Sequence, residues 1–342
     1  MQNIELGDCL DVMRTMEDNC VSAIITDPPY GLSFMNKGWD HTVPGVEYWQ
    51  EMLRISKPGA HLLAMGGTRT FHRLTCAIED AGWEIRDCLM WIYGSGFPKS
   101  HNHFGIEGYG TAVKPAYEPI IMAMKPCDGT FKQNAEKWGQ AGINIDGCRI
   151  GTDTILTNGM GSMATACPNV PKSVDFVGKC HIGRWPANVI FDEEAADTLD
   201  EQSGILSGPK KERVERKGEG ASRFFYCAKA SSSERNEGLD CLPIGQTIGG
   251  GGINNTEDNV CGKYGSIKAA AKNYHPTVKP LKLMEYLIKL IMPPDNGILL
   301  DPFAGSGTTI LAAKRLGFSA VGIEKEEEYV KIAKARLNAE KQ

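Results

Sequence analysis

At 342 residues the chain exceeds a typical single domain, so one catalytic core with a large insertion, or two domains, is expected. Its 42% apolar and 23% charged residues are ordinary for a globular protein, and no apolar run approaches the roughly eighteen residues of a membrane-spanning helix. The net charge of -5 argues against a protein that coats nucleic acid without discrimination, because phosphate binding needs clustered Lys and Arg.

Residues 1–8 have neither a basic start nor an apolar run, so a cytoplasmic location with no membrane partner is expected. Eleven cysteines are scattered without a CxxC pair, which predicts free thiols. Cys227, Cys241, Cys261 and His275 match no zinc-ligand spacing, and no metal is expected.

Val21 to Thr26 is an apolar run closed by Asp27-Pro28-Pro29-Tyr30, the pattern of a buried parallel strand with a motif at its C-terminal end. Val46, Trp49 and Leu53 recur at helical spacing and stop at Lys57-Pro58-Gly59. A strand over 60–65, a helix carrying Phe71, Leu74 and Ile78, and a strand from Trp83 to Tyr93 complete a βαβαβ alternation. That alternation implies a parallel sheet.

From Gly94 to about residue 270 the regularity lapses, and we read a loop-rich insertion of mixed structure. The glycine run 249–252 reads as a flexible loop. Pro280 then opens a helix with Leu283, Met284, Leu287 and Ile288 on one face. A strand over 297–300, the tight loop Asp301 to Gly307, a helix over 308–316, a strand over 318–323 and a last helix to about Leu337 follow.

Strand, glycine loop, helix, strand and acidic residue is a layout for the adenosine half of a cofactor. Phe303, Gly305, Gly307 and Thr308 supply the loop, and Glu324 is placed to accept ribose hydroxyls. In Asp27-Pro28-Pro29-Tyr30, a carboxylate and a rigid carbonyl can accept the hydrogens of an exocyclic amine while the aromatic ring stacks on the base. Such stacking is worth ~1–3 kcal/mol, comparable with the cost of unstacking a nucleotide.

These residues resemble the AdoMet-dependent DNA amino-methyltransferases of the beta class, in which the catalytic motif precedes the cofactor loop. Over 1–98 and 271–342 the resemblance implies a Rossmann-like α/β methyltransferase fold with permuted motif order. It implies three parts: a catalytic half over 1–98, an inserted target-recognition region over 99–270, and an AdoMet-binding half over 271–342. By resemblance, Asp27, Pro28, Pro29 and Tyr30 are catalytic. Asp8, Cys9, Asp27, His275, Thr277, Lys279, Asp301, Phe303, Gly305, Gly307, Thr308 and Glu324 are assigned to the cofactor. Segments 94–100, 114–119 and 222–229 resemble phage and prophage members of the class.

The implied reaction is in-line transfer of an already activated methyl group to an amine of double-stranded DNA, which calls for positioning and charge complementarity. Asp in the first motif position resembles adenine-N6 enzymes; cytosine-N4 is the alternative. An RNA methyltransferase would be expected to place its glycine loop first, and a nicotinamide oxidoreductase leaves Asp27 to Tyr30 unexplained. Lys210, Lys211, Arg213, Arg216, Lys217 and Arg223 then become expected DNA contacts, with a solvated loop as the alternative. A homodimer is open, as is a cognate restriction endonuclease or none.

Overall fold

The computed structural model describes residues 2–32, 41–96, 100, 105–157, 179–204, 220–228, 245–246, 270–271, 278–294 and 297–340. The first half holds β1 (Gln2–Leu6), α1 (Cys9–Arg14), β2 (Val21–Thr26), α2 (Val46–Ile55), β3 (Ser56–Met65), α3 (Phe71–Asp80), β4 (Glu84–Ile92), β5 (Tyr117–Met124) and α4 (Phe131–Trp138). Next come β6 (Ile150–Thr157), β7 (Lys179–Arg184), β8 (Val189–Asp192), α5 (Glu193–Ser203) and β9 (Tyr226–Ala228). The last stretch holds β10 (Gly245–Gln246), β11 (Ala270–Ala271), α6 (Leu281–Ile291), β12 (Ile298–Asp301), α7 (Thr308–Arg315), β13 (Ser319–Glu324) and α8 (Glu327–Ala339).

The chain divides into two compact units, one of Met1–Trp91, Tyr117–Ile143 and Ala228–Gln342, the other of Ile92–Ala116 and Asn144–Cys227. In the first, the strands run in the order β1-β13-β12-β2-β3-β5-β4. β1, β13, β12, β2 and β3 pair in parallel. β5 runs antiparallel to β3, with Leu63 opposite Met122.

Two expectations change here. Tyr117–Met124 falls by sequence inside the insertion, yet it is a strand of the first unit's sheet and makes that sheet mixed. Its Ile120 to Met124 are all buried, as a strand covered on both faces requires. Lys57-Pro58-Gly59 ends α2 but does not separate it from the next strand, because β3 begins at Ser56. The pairing of β2 slips between Val21 and Ala23, from Ser56 to His61, and this irregularity takes up Pro58 and Gly59.

All six residues of β2 are buried. A core of Ile24, Trp49, Met52, Leu62, Leu74 and Ile121 packs α2 and α3 against the sheet. α6 is buried nearly all round, including Leu283, Met284, Leu287, Ile288 and Ile291. Pro280, with φ -60, stands at its N-cap, a conformation proline prefers.

The second unit contains the antiparallel pair β6–β7, the neighbouring strands β8 and β9, and α5. Asp192 caps α5 by accepting from the Ala195 amide, and Asp200 accepts from the Ser222 amide at 2.7 Å. No described helix is long and apolar enough to cross a membrane. The glycine run 249–252 lies outside the described residues.

Candidate active site and cofactor cleft

β12 and β2 are paired neighbours, and the chain leaves their carboxyl ends toward opposite sides of the sheet. A crevice at such a switch point is where open α/β sheets bind ligands. A cavity of about 420 Å³ lies there. Asp27, Pro29 and Lys279 line it together with Asp8, Phe303 and Glu324.

The Asp27 end is a cluster of four side chains. Asp27 accepts from the Tyr30 hydroxyl through Oδ1 and from Lys279 Nζ through Oδ2, both at 2.8 Å. Glu118, on β5, completes it: its Oε2 lies 3.1 Å from the Tyr30 hydroxyl and 3.1 Å from Lys279 Nζ. Burial opposes charge on Lys279, but Asp27 and Glu118 outweigh it and hold the ammonium above the ordinary lysine range. Burial, reinforced by the two carboxylates, pushes the Tyr30 phenol well up. Two carboxylates around one ammonium leave one net negative charge.

Local backbone fixes this end. The Tyr30 carbonyl accepts from Thr70 Oγ1 at 2.6 Å. A Cβ on Gly67 would lie 3.1 Å from the Tyr30 ring, so glycine lets the ring settle against the turn after β3. Pro28 is buried behind Asp27, while Pro29 faces the cavity.

The Glu324 end is built by the pairing of β1 with β13, which sets Leu6 beside Glu324. The Gly7 amide donates to the Glu324 carbonyl at 3.0 Å, so Asp8 and Glu324 arrive at one rim of the cavity. Asp8 also caps α1, accepting from the Leu10 amide at 2.9 Å. Glu324 accepts from the Gly305 and Glu326 amides, each at 2.8 Å. Burial raises its carboxyl above the usual range, while these amides pull it down. A carboxylate has about four acceptor positions, so two amide bonds leave room for a diol.

Asp301 turns inward, accepting from Thr309 Oγ1 at 2.5 Å and from the Phe303 amide at 3.1 Å. It is 2% exposed, and burial pushes its carboxyl up to about 7. Gly307 adopts φ +77 at the N-cap of α7, and a Cβ there would lie 2.8 Å from Ala333. Thr308 is buried, and its hydroxyl accepts from Arg336 at 3.0 Å. Cys9 is buried and its thiol is pushed up to about 12, first by burial and then by Asp8, so it stays protonated.

Three contributors escaped the sequence reading. Glu118 lies in the 114–119 segment, where nothing local marks it as a site residue. Thr42 to Gly45 and Tyr48 form a further cavity wall, with the Tyr48 ring tilted against Phe303 at 6.2 Å between centroids. Arg336, 2% exposed, donates to the Ser306 carbonyl at 2.7 Å and props the loop from behind. His275 and Thr277 lie outside the described residues, as do Lys210, Lys211, Arg213, Arg216 and Lys217. Arg223 is in the second unit, its guanidinium 4.8 Å from the Phe224 ring centroid. Among the described residues no group of His, Cys, Asp and Glu is arranged to hold a metal.

The chain is 55% identical over 64 residues to the type II methyltransferase M2.LlaDCHI of Lactococcus lactis subsp. cremoris, covering 19% of this chain and 23% of that protein. It is 37% identical over 120 residues to the type II methyltransferase M.ScaI of Streptomyces caespitosus, covering 33% and 36%. The chain thus aligns with about a quarter to a third of the length of these curated relatives. Among solved structures, the cytosine-N4-specific PvuII DNA methyltransferase superposes with a TM-score of 0.52 at 14% identity, over 98% of this chain and 86% of that one. That likeness shows the fold. The model of the N6_N4_Mtase DNA methylase family matches residues 21–335, and the chain belongs to that family.

Proposed function

We propose that the protein transfers a methyl group from S-adenosylmethionine to the exocyclic N6 amine of adenine in double-stranded DNA. One observation carries the reading: a single cavity is walled by Asp27 and Pro29 and also by Asp8, the Asp301–Thr308 loop and Glu324. Family membership supports DNA as substrate, and Asp27 in the first motif position favours adenine over cytosine-N4.

The residues present suit the cofactor. Glu324 offers acceptors to a ribose diol, Asp8 stands beside it for the adenine, and the Phe303–Thr308 loop supplies close backbone. His275 and Thr277, with Lys279, are read as enclosing the methionine end. Bound there, AdoMet would supply an electrophilic methyl to the amine nitrogen, with the neutral thioether as leaving group and the nitrogen's surplus proton passing to solvent. Asp27 and the Pro28 carbonyl orient the amine and complement its growing positive charge. Tyr30 clamps the extruded base.

Incubation with methyl-labelled AdoMet and separate DNA, RNA and protein substrates tests the reading. Label is expected in DNA, and its absence there with AdoMet bound would overturn the proposal. Single-base detection of the product separates N6-methyladenine from N4-methylcytosine. Target recognition is assigned to the insert over 99–270 apart from the core segment Tyr117–Ile143, with Lys210, Lys211, Arg213, Arg216, Lys217 and Arg223 on phosphates. Neutralising the five residues from Lys210 to Lys217 should weaken DNA binding and flatten its salt dependence by up to ~0.9 per lost contact. An unchanged slope returns them to a solvated loop. The same reading places the protein in the cytoplasm. It leaves a homodimer open to measurement by sedimentation, and a cognate endonuclease open as well.

A further inference from the structure

Glu118 belongs to neither sequence motif, yet it touches both donors that engage Asp27. It is the second residue of β5, the strand that runs against β3, so its carboxylate reaches the cluster from a part of the chain that neither motif occupies. Lys279 is 2.8 Å from Asp27 and 3.1 Å from Glu118, and its side chain is 9% exposed. The Tyr30 hydroxyl lies between the same two carboxylates, at 2.8 and 3.1 Å. One ammonium and one phenol are thus shared by two acids.

Charge gives that sharing its consequence. Asp27 and Lys279 alone would sum to zero, and a neutral pair is a poor complement to a reaction that carries positive charge from sulfur to nitrogen. With Glu118 added, the cluster sums to minus one. Asp301, the other acid on this wall, is committed to Thr309 and the Phe303 amide and is held toward its neutral form by burial.

Resting on the methyl-transfer reading, we propose that Glu118 is a positioning residue: by sharing Lys279 with Asp27 it leaves the cluster with one net negative charge, which complements the cationic sulfonium and the amine as it gains charge. Lys279 in turn keeps the two carboxylates from repelling each other. Each of the pair is needed because the other is present.

The test is a double-mutant cycle with Glu118→Gln, Lys279→Met and both together, each checked for a native melting transition. Two quantities are read: the single-turnover rate of methyl transfer to DNA, and the ratio of Kd values for S-adenosylhomocysteine, a neutral thioether, and AdoMet, a sulfonium. Glu118→Gln should slow transfer by ~10-fold or more and lower the preference for AdoMet several-fold, because the cluster becomes neutral. The double variant, again at minus one, should recover most of both losses. Additive losses in the double variant, or an unchanged preference ratio in Glu118→Gln, would overturn the proposal. If the wild type labels no DNA, the functional reading falls, and the binding ratio alone then decides the role of Glu118.

Discussion

β2 and β12 are paired neighbours whose C-terminal ends run into the same dipeptide, Asp27-Pro28 in one and Asp301-Pro302 in the other. The two carboxylates nonetheless do different work. Asp301 is 2% exposed and accepts from two donors within eight residues of itself, the Phe303 amide and Thr309 Oγ1. Asp27 is 18% exposed, and one oxygen takes a donor 252 residues away, Lys279. The first acid shapes its own loop, whereas the second is held by distant residues at the cavity wall. A motif at a strand end therefore acquires its role from the partners the fold brings to it.

The comparison breaks most sharply at Asp27. Asp27→Ala should lower the rate of methyl transfer by at least ~10³-fold while AdoMet affinity, measured by calorimetry, falls only several-fold, as expected from neutralising the cluster. An equal loss of affinity would mean that Asp27 serves the cofactor end as well. Glu324→Ala should do the reverse, weakening AdoMet binding by ~10–100-fold through lost charge-assisted hydrogen bonds.

Gly307→Ala probes the loop itself. Its φ of +77 and the 2.8 Å approach to Ala333 should cost about 1–3 kcal/mol in stability and loosen cofactor binding, read from denaturant melts with and without AdoMet. A pH-dependent effect is expected at Asp301. Its carboxyl is raised to about 7 when folded, from an ordinary value of 3.8, so its stabilising contribution is full below about pH 4 and declines as pH rises toward 7. Asp301→Asn removes that titration. The Tm of the variant relative to wild type should therefore climb between pH 5 and pH 8; a flat difference would show that Asp301 stays charged in the fold.

Both ends of the cavity were legible in the sequence because each is written in consecutive residues. Val21–Thr26 with Asp27, and Ile298–Asp301 with its glycine loop, declare strand and turn within a dozen positions. β5 was visible as an apolar run, but its place beside β3 was not, since nothing local specifies which edge a strand joins. Glu118 was lost with it. Arg336 was hidden for a related reason: on α8 it reads as one more charged residue on a helix, and only packing against Ser306 makes it a buried prop. At Pro58 and Gly59 the local signal for a break was real, but the sheet absorbed it as a slip in register.

The placement of β12 between β2 and β13 also sets a timetable for synthesis. Val21–Thr26 is buried along its whole length and finds β3 within some forty residues, but its other edge is covered only by Ile298–Leu300. At translation speeds of about 5–20 residues per second, that apolar edge waits roughly 15–55 s for its partner to be made. During this interval it is an open template for pairing with another chain. The motif order that joins the two ends of the cavity therefore leaves the nascent protein exposed to aggregation until the cofactor strand has emerged.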